Sequence, residues 1–355
     1  MKSLRLYDKQ DLRYEEVDEP VINRSDMVKI QVKSAGICGS DLSRYKKLGP
    51  YVSGMVFGHE FSGEVVDIGS DVTNVKVGDR VACSPSLICR HQGKDECQYC
   101  KKAEFARCEN LTVLGAIYPG GFAEYTVLPA ENVVRLTDNV SYEEAAMIEP
   151  SSVVLHGLYK LNFKVGNQVV VIGCGNIGLM AIKWLNIMGA SKIIAVDIND
   201  DALIRAKETG ATDTINSMKS KTELEIKELT GGLGADHVVE AAGSPVTSVH
   251  AFSYAKKGGE IVYLGIPYSD INFERYYFEK IVRSELTVYG SWNSVSGVYP
   301  GNEWTTTVDA LSSGLLKLED LITHRLELSD GEQVFHKMTN RNLSDERFGK
   351  VMFSI

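Results

Sequence analysis

The residues best placed to do chemistry in this 355-residue chain are its cysteines, and four of the seven fall between positions 89 and 108. The run Cys89-x7-Cys97-x2-Cys100-x7-Cys108 contains a C-x-x-C pair, a spacing that brings two thiolates onto one tetrahedral ion from a single turn. One structural zinc is the expectation. The competing readings are a redox dithiol, which lacks a thioredoxin-like context here, and plain buried cysteines, which the charged neighbours Lys94, Asp95, Glu96, Lys101 and Lys102 disfavour.

A second chemical motif is glycine-rich. Gly173-Cys174-Gly175-Asn176-Ile177-Gly178 fits G-x-G-x-x-G, follows the apolar run Gln168–Ile172, and precedes a helical run over Leu179–Met188. Gly173 serves the tight turn, Gly175 the close approach of a pyrophosphate, and Gly178 the packing of helix on strand. The phosphates would then meet the free amides of the helix N-terminus. A second strand ends in Asp197, about 20 residues further on, where a carboxylate accepts both ribose hydroxyls and repels a 2′-phosphate. NAD is therefore expected over NADP. Asp200 and Asp201 add to that negative charge, and Arg205 is the nearest base.

Other candidates are dispersed: Cys38 in Gly36-Ile-Cys-Gly-Ser-Asp41, His59 and Glu60 in Gly58-His-Glu60, and Glu149 in Ile148-Glu-Pro150. Taken singly, each reads as an ordinary core or helix-end residue. Together with Phe61-Ser62-Gly63, the four-cysteine loop and the nucleotide motif, they resemble the zinc-containing medium-chain dehydrogenase/reductase superfamily over practically the whole chain. That resemblance implies a catalytic zinc held by Cys38, His59 and Glu149, with Glu60 as an exchangeable fourth ligand. It implies Ser40 as the proton-relay hydroxyl and Asp41 as the carboxylate that orients the zinc histidine.

Glu149 stands where alcohol dehydrogenases of the superfamily carry a second cysteine, and the polyol branch carries glutamate there. Gly290-Ser-Trp292, Tyr299–Trp304 and Ile322-Thr-His-Arg325 most resemble its galactitol-1-phosphate 5-dehydrogenase subfamily. The implied reaction oxidises a secondary hydroxyl of a polyol phosphate to the ketose phosphate and passes hydride to NAD. An unphosphorylated polyol or diol, as in sorbitol/L-iditol 2-dehydrogenases, is the alternative substrate, and a structural dinucleotide-binding relic the alternative class. Two departures stand out. The superfamily commonly spaces its structural cysteines C-x2-C-x2-C-x7-C, so the long first interval here makes Asp95 a rival to Cys89 as ligand. Ser43 replaces a histidine that relays the proton to bulk water in several relatives.

For a substrate phosphate, the nearby bases are Arg44, Lys46, Lys47 and Arg325, with Tyr51 and Trp292 as candidate pocket walls. Cys38 and Glu149 together offset the +2 ion, so Glu60 would overcompensate it and is expected to leave when substrate binds.

The elements that must position these residues show two periods. From about 25 to 135, short β-like runs (27–32, 61–68, 80–83 and 123–128) lie between Gly, Asp and Asn turns. From about 141, helical stretches alternate with apolar strands at 168–172, 192–196, 237–239, 260–264 and 286–289, as a doubly wound parallel sheet requires. The expected class is α/β: a β-rich, GroES-like catalytic domain over 1–150 and 292–355, and a Rossmann domain over 151–291. At this length two domains are the starting expectation.

Composition bounds the rest. Hydrophobic residues make up 44% and charged ones 24%, as in an ordinary globular protein. A net charge of −9 argues against nucleic-acid or anionic-membrane partners. No apolar run approaches roughly 18 residues, and clustered cysteines in a chain this long indicate a reducing compartment. A cytoplasmic enzyme with a small-molecule substrate is expected, and the resemblance implies a homodimer or homotetramer.

Overall fold

Val28, Ile30 and Val32 are buried while Lys29, Gln31 and Lys33 between them are more exposed, the alternation of a strand with one face on a core. The computed structural model describes residues 1–340 and 348–355. It divides into one unit of Met1–Pro150 with Ser294–Ile355 and a second of Ser151–Asn293, so the second junction falls after Asn293 rather than after 291.

In the first unit, Met27–Gly36 lies within a seven-stranded sheet. The order is Val133–Arg135, Arg80–Cys83, Glu60–Ile68, Met27–Gly36, Lys350–Ser354, Ile322–Glu327, with Tyr125–Pro129 also paired to Met27–Gly36. A smaller sheet joins Lys2–Asp8, Asp11–Glu16 and Met55–Val56. The core beneath them gathers Leu4, Leu6, Phe57, Phe61, Phe122, Phe335 and Phe353. Phe122 and Phe353 meet edge to face at 5.3 Å, and each fully buried ring of this kind stabilises by about 1.5–3 kcal/mol. Phe122 also fixes a functional turn. A Cβ on Gly58 would lie 2.3 Å from its ring, and Gly58 has φ +86°, so only glycine fits immediately before His59.

The second unit is built on six parallel strands. Their order is Asp213–Asn216, Lys192–Asp197, Gln168–Ile172, Ala235–Glu240, Ala255–Tyr263, Thr287–Gly290. Val169, Val170 and Val171 are all fully buried, so both faces of the sheet are covered. The direction of winding reverses between Gln168–Ile172 and Ala235–Glu240, the place where doubly wound sheets bind ligands beyond their carboxyl ends. Gly173–Gly178 lies at that place. Among the described residues no helix is long and apolar enough to cross a membrane.

Candidate active site

Cys38 caps the N-terminus of a short helix, Gly39–Ser43, which carries both Ser40 and Asp41. Asp41 Oδ2 accepts the Cys38 amide at 3.0 Å, while Oδ1 faces His59 Nδ1 at 3.3 Å. One buried carboxylate thus ties the turn bearing the thiol to the ring at the start of the strand Glu60–Ile68, and leaves His59 Nε2 for another partner. Ligand atoms of Cys38, His59 and Glu60 lie within 4.8 Å of one another. Glu149 stands outside that trio on the first turn of the helix Ile148–Leu158, yet near enough for the charges of His59, Cys38 and Asp41 to act on it. Ser40 is exposed.

The electrostatics of this cluster are those of an anionic site. Burial pushes the Cys38 thiol up, but the charge and hydrogen bond of His59 outweigh it and leave the pKa at about 7. For His59, burial opposes protonation, and the carboxylate of Asp41 and the thiolate of Cys38 raise its pKa well above the ordinary value. Burial lifts Glu149 to about 7. Asp41, Glu60 and Glu149 are all nearly inaccessible, as few ionisable groups are without a partner. A thiolate, an imidazole and carboxylates converging with excess negative charge are the donor set and charge balance that a zinc ion fits.

Sequence reasoning did not find Lys350. Its ammonium is buried, pairs with Glu60 Oε2, and donates to the Ile37 carbonyl at 3.2 Å. Burial lowers its pKa to about 8 against the raising charges of Cys38 and Asp41.

The second cluster brings Cys89, Cys97, Cys100 and Cys108 together, their sulfurs within 4.8 Å of one another, and Asp95 is not among them. Three short 3-10 turns, Cys89–Gln92, Cys100–Lys102 and Phe105–Arg107, fold the loop back so that Cys89 and Cys108 approach to 3.5 Å. Backbone amides of Glu109 and Cys100 lower the Cys97 thiol to about 6, and the Asn110 amide donates to Cys89 at 3.3 Å. Around these sulfurs the apolar cluster is small: Ile88, Phe105 and Val295 with Leu111 and Tyr299. A zinc ion fits these four thiols and would supply cohesion that so few apolar side chains do not.

The glycine motif meets the demands of a dinucleotide. A Cβ on Gly178 would strike the Gly173 carbonyl at 1.8 Å, and Gly173 has φ +90° with Ala242 2.8 Å from any Cβ. A Cβ on Gly175 would meet nothing, which leaves open the space a pyrophosphate would enter. The helix begins at Asn176, earlier than the expected 179, so the Asn176, Ile177 and Gly178 amides form its first turn. Asp197 accepts the Cys174 amide at 2.7 Å and the Asn199 amide at 2.9 Å, which holds its carboxylate beside the loop.

The candidate phosphate bases separate. Arg325 is committed to Glu143 at 2.9 Å and to Glu319 at 3.4 Å, and Lys46 donates to the Thr339 carbonyl. Arg44 stacks over Tyr51, 3.4 Å from the ring centroid, and donates to the Gly49 carbonyl at 3.2 Å. Lys47, Tyr51 and Trp292 are exposed. A cavity of about 860 Å³ in the first unit, lined by Arg5, Met55 and Tyr118 among others, contains none of the metal-ligand candidates.

Comparison with known proteins matches residues 24–138 to the alcohol dehydrogenase GroES-like domain and residues 176–313 to the zinc-binding dehydrogenase family. Galactitol 1-phosphate 5-dehydrogenase of Escherichia coli (strain K12) is 36% identical over 314 residues, covering 86% of this chain and 87% of that protein. The crystal structure of the Escherichia coli galactitol-1-phosphate dehydrogenase superposes with a TM-score of 0.93 at 34% identity, covering 100% of both chains. Sorbitol dehydrogenase of Bacillus subtilis (strain 168) is 32% identical over 342 residues, 95% of this chain and 93% of that one. A zinc-binding dehydrogenase structure from Sinorhizobium meliloti 1021, bound to NADP, has a TM-score of 0.88 at 26% identity and covers 100% of this chain and 99% of its own.

Proposed function

This chain belongs to the zinc-containing alcohol and polyol dehydrogenase family, and from that premise we propose that it oxidises a secondary hydroxyl of a polyol phosphate to the ketose phosphate and delivers the hydride to NAD. The observation that carries the chemistry is the convergence of Cys38, His59 and Glu60 beside the buried Glu149. Zinc bound there would supply the Lewis acidity that lowers the pKa of a substrate hydroxyl. Within the chain, Asp41 fixes the ring of His59, and Ser40 Oγ, exposed on the same short helix, takes the substrate proton and passes it to water. With Ser43 in place of a histidine, that relay ends at the solvent.

Asp197, held by two backbone amides, supports NAD, since its carboxylate accepts ribose hydroxyls and repels a 2′-phosphate. A phosphorylated substrate is favoured by the galactitol 1-phosphate 5-dehydrogenase likeness and by Arg44, one helical turn beyond Ser40 with its guanidinium stacked on Tyr51. The second reading is an unphosphorylated polyol, favoured by the likeness to sorbitol dehydrogenase.

A panel of hexitols, pentitols and their phosphates, assayed with NAD and with NADP by nicotinamide reduction, tests both readings. Hexitol phosphates should turn over best, and Arg44→Ala should raise KM for them while leaving sorbitol unaffected. Preference for sorbitol or xylitol, with no effect of Arg44→Ala, overturns the phosphate assignment.

A further inference from the structure

The side chain least expected in a buried metal-ligand cluster is a lysine, because a divalent cation would repel its ammonium. Lys350 is nevertheless fully enclosed there, and lysine is seldom buried unless paired. We propose that Lys350 is a positioning residue: by holding Glu60 it keeps the fourth coordination position of the metal open for substrate. This rests on the metal-centre reading above.

The backbone is built around the pair. In the first unit's sheet, Gly36 faces Glu60 across one ladder and Met352 across the other, which sets Lys350 and Glu60 at the same end of Met27–Gly36. A Cβ on Gly36 would lie 2.6 Å from Glu60 Oε2 and 2.7 Å from both Cε and Nζ of Lys350. The two charged groups occupy the slot that the missing side chain leaves. The Ile37 carbonyl gives the ammonium a second acceptor, so it stays in place whether or not Glu60 swings away.

Charge explains what the arrangement does. Cys38 and Glu149 already offset a divalent ion, so a third anionic ligand would overcompensate it. Among the described residues Lys350 is the side-chain partner the structure gives Glu60, so a buried Glu60 that loses it turns to the metal. Lys350 supplies the alternative partner, and Glu60 can rest there with one carboxylate oxygen engaged.

The test uses the full chain with cobalt(II) in the site of Cys38 and zinc in the four-cysteine site. Imidazole, added as a probe of the open position, is followed by the cobalt absorption bands. Intact protein should take up imidazole with a spectral shift. Lys350→Met should weaken imidazole binding by about 10- to 100-fold as Glu60 closes onto the metal. Adding Glu60→Gln to Lys350→Met should restore it. Native imidazole affinity in Lys350→Met overturns the proposal. So does a double variant as weak as the single one, because the loss then does not run through Glu60. If Lys350→Met does not fold, Gly36→Ala, which crowds the same slot, must weaken imidazole binding in its place. Absence of a thiolate-to-cobalt band that Cys38→Ser abolishes would instead remove the metal-centre reading, and the proposal with it.

Discussion

Asp41→Asn isolates what a single oriented carboxylate contributes to the metal site. Asp41 makes two contacts, to the Cys38 amide at 3.0 Å and to His59 Nδ1 at 3.3 Å. An asparagine oxygen can still accept from the Cys38 amide, so the turn survives. What is lost is the charge facing the imidazole. A hydrogen bond to a charged group is worth about 1.5–3 kcal/mol, and the 3.3 Å separation places this one at the low end. Zinc affinity at the Cys38 site should therefore fall by about tenfold, the lower limit for carboxylates that orient metal-binding histidines. Competition against a chromogenic zinc chelator measures it, with the four-cysteine site as an internal control. A change below about twofold refutes the reasoning, and so does equal weakening at both sites, which would mean that Asp41 acts through the fold rather than through His59.

Three further outcomes are expected. Without metal, Cys38 and Glu149 both titrate near 7, while His59 holds its proton to higher pH. The metal-bound form carries none of these three protons, so affinity must rise with pH, by about three decades per unit below pH 7 and by about one above it while His59 alone still holds its proton. A flat affinity between about pH 6 and pH 8 contradicts this. Asp197→Asn removes the charge but keeps one side-chain oxygen to accept a backbone amide, and should raise the NADP-to-NAD ratio of kcat/KM by at least about tenfold; an unchanged ratio sinks the NAD assignment. In the second unit, the helix Arg275–Arg283 has no buried residue and exposes Tyr276, Phe278 and Val282, and the edge strand Thr287–Gly290 exposes Val288. Exposed apolar side chains on this helix, and an edge strand that pairs with no further strand among the described residues, fit a second copy of the chain. Light scattering should give a dimer or larger that Phe278→Glu dissociates, and a monomeric native protein overturns it.

What was legible in the sequence was local. The runs at 168–172 and 80–83 have the same limits in the sequence as in the structure, since an apolar run bounded by turns needs no distant information. The glycine loop and the four cysteines are likewise contiguous motifs. Cys38, His59 and Glu149 depend on family resemblance, because nothing in their spacing says that the fold will bring Cys38 to His59 or set Glu149 within reach of their charges. Lys2–Asp8 and Asp11–Glu16 escaped, as their inward Leu4, Leu6 and Leu12 alternate with charges that read as surface. The short edge strand Asp213–Asn216 offers only Ile215 to a core. Lys350 was invisible for a deeper reason. Its partner is 290 residues away, and a lysine carries no mark of burial beyond the apolar Val351-Met352-Phe353 that follows it.

The most direct trial of a metal-dependent dehydrogenase with two separate zinc sites is to measure zinc per chain and NADH formation together in three proteins. The intact chain should hold two zinc ions, one for each cluster. Cys38→Ser should fold, retain the four-cysteine zinc, and lose turnover. Cys97→Ser should lose the other zinc and unfold more readily before its chemical step changes. A folded Cys38→Ser protein that has lost its zinc and still turns over at the native rate would contradict the assignment of Cys38, His59 and Glu149 to the chemistry.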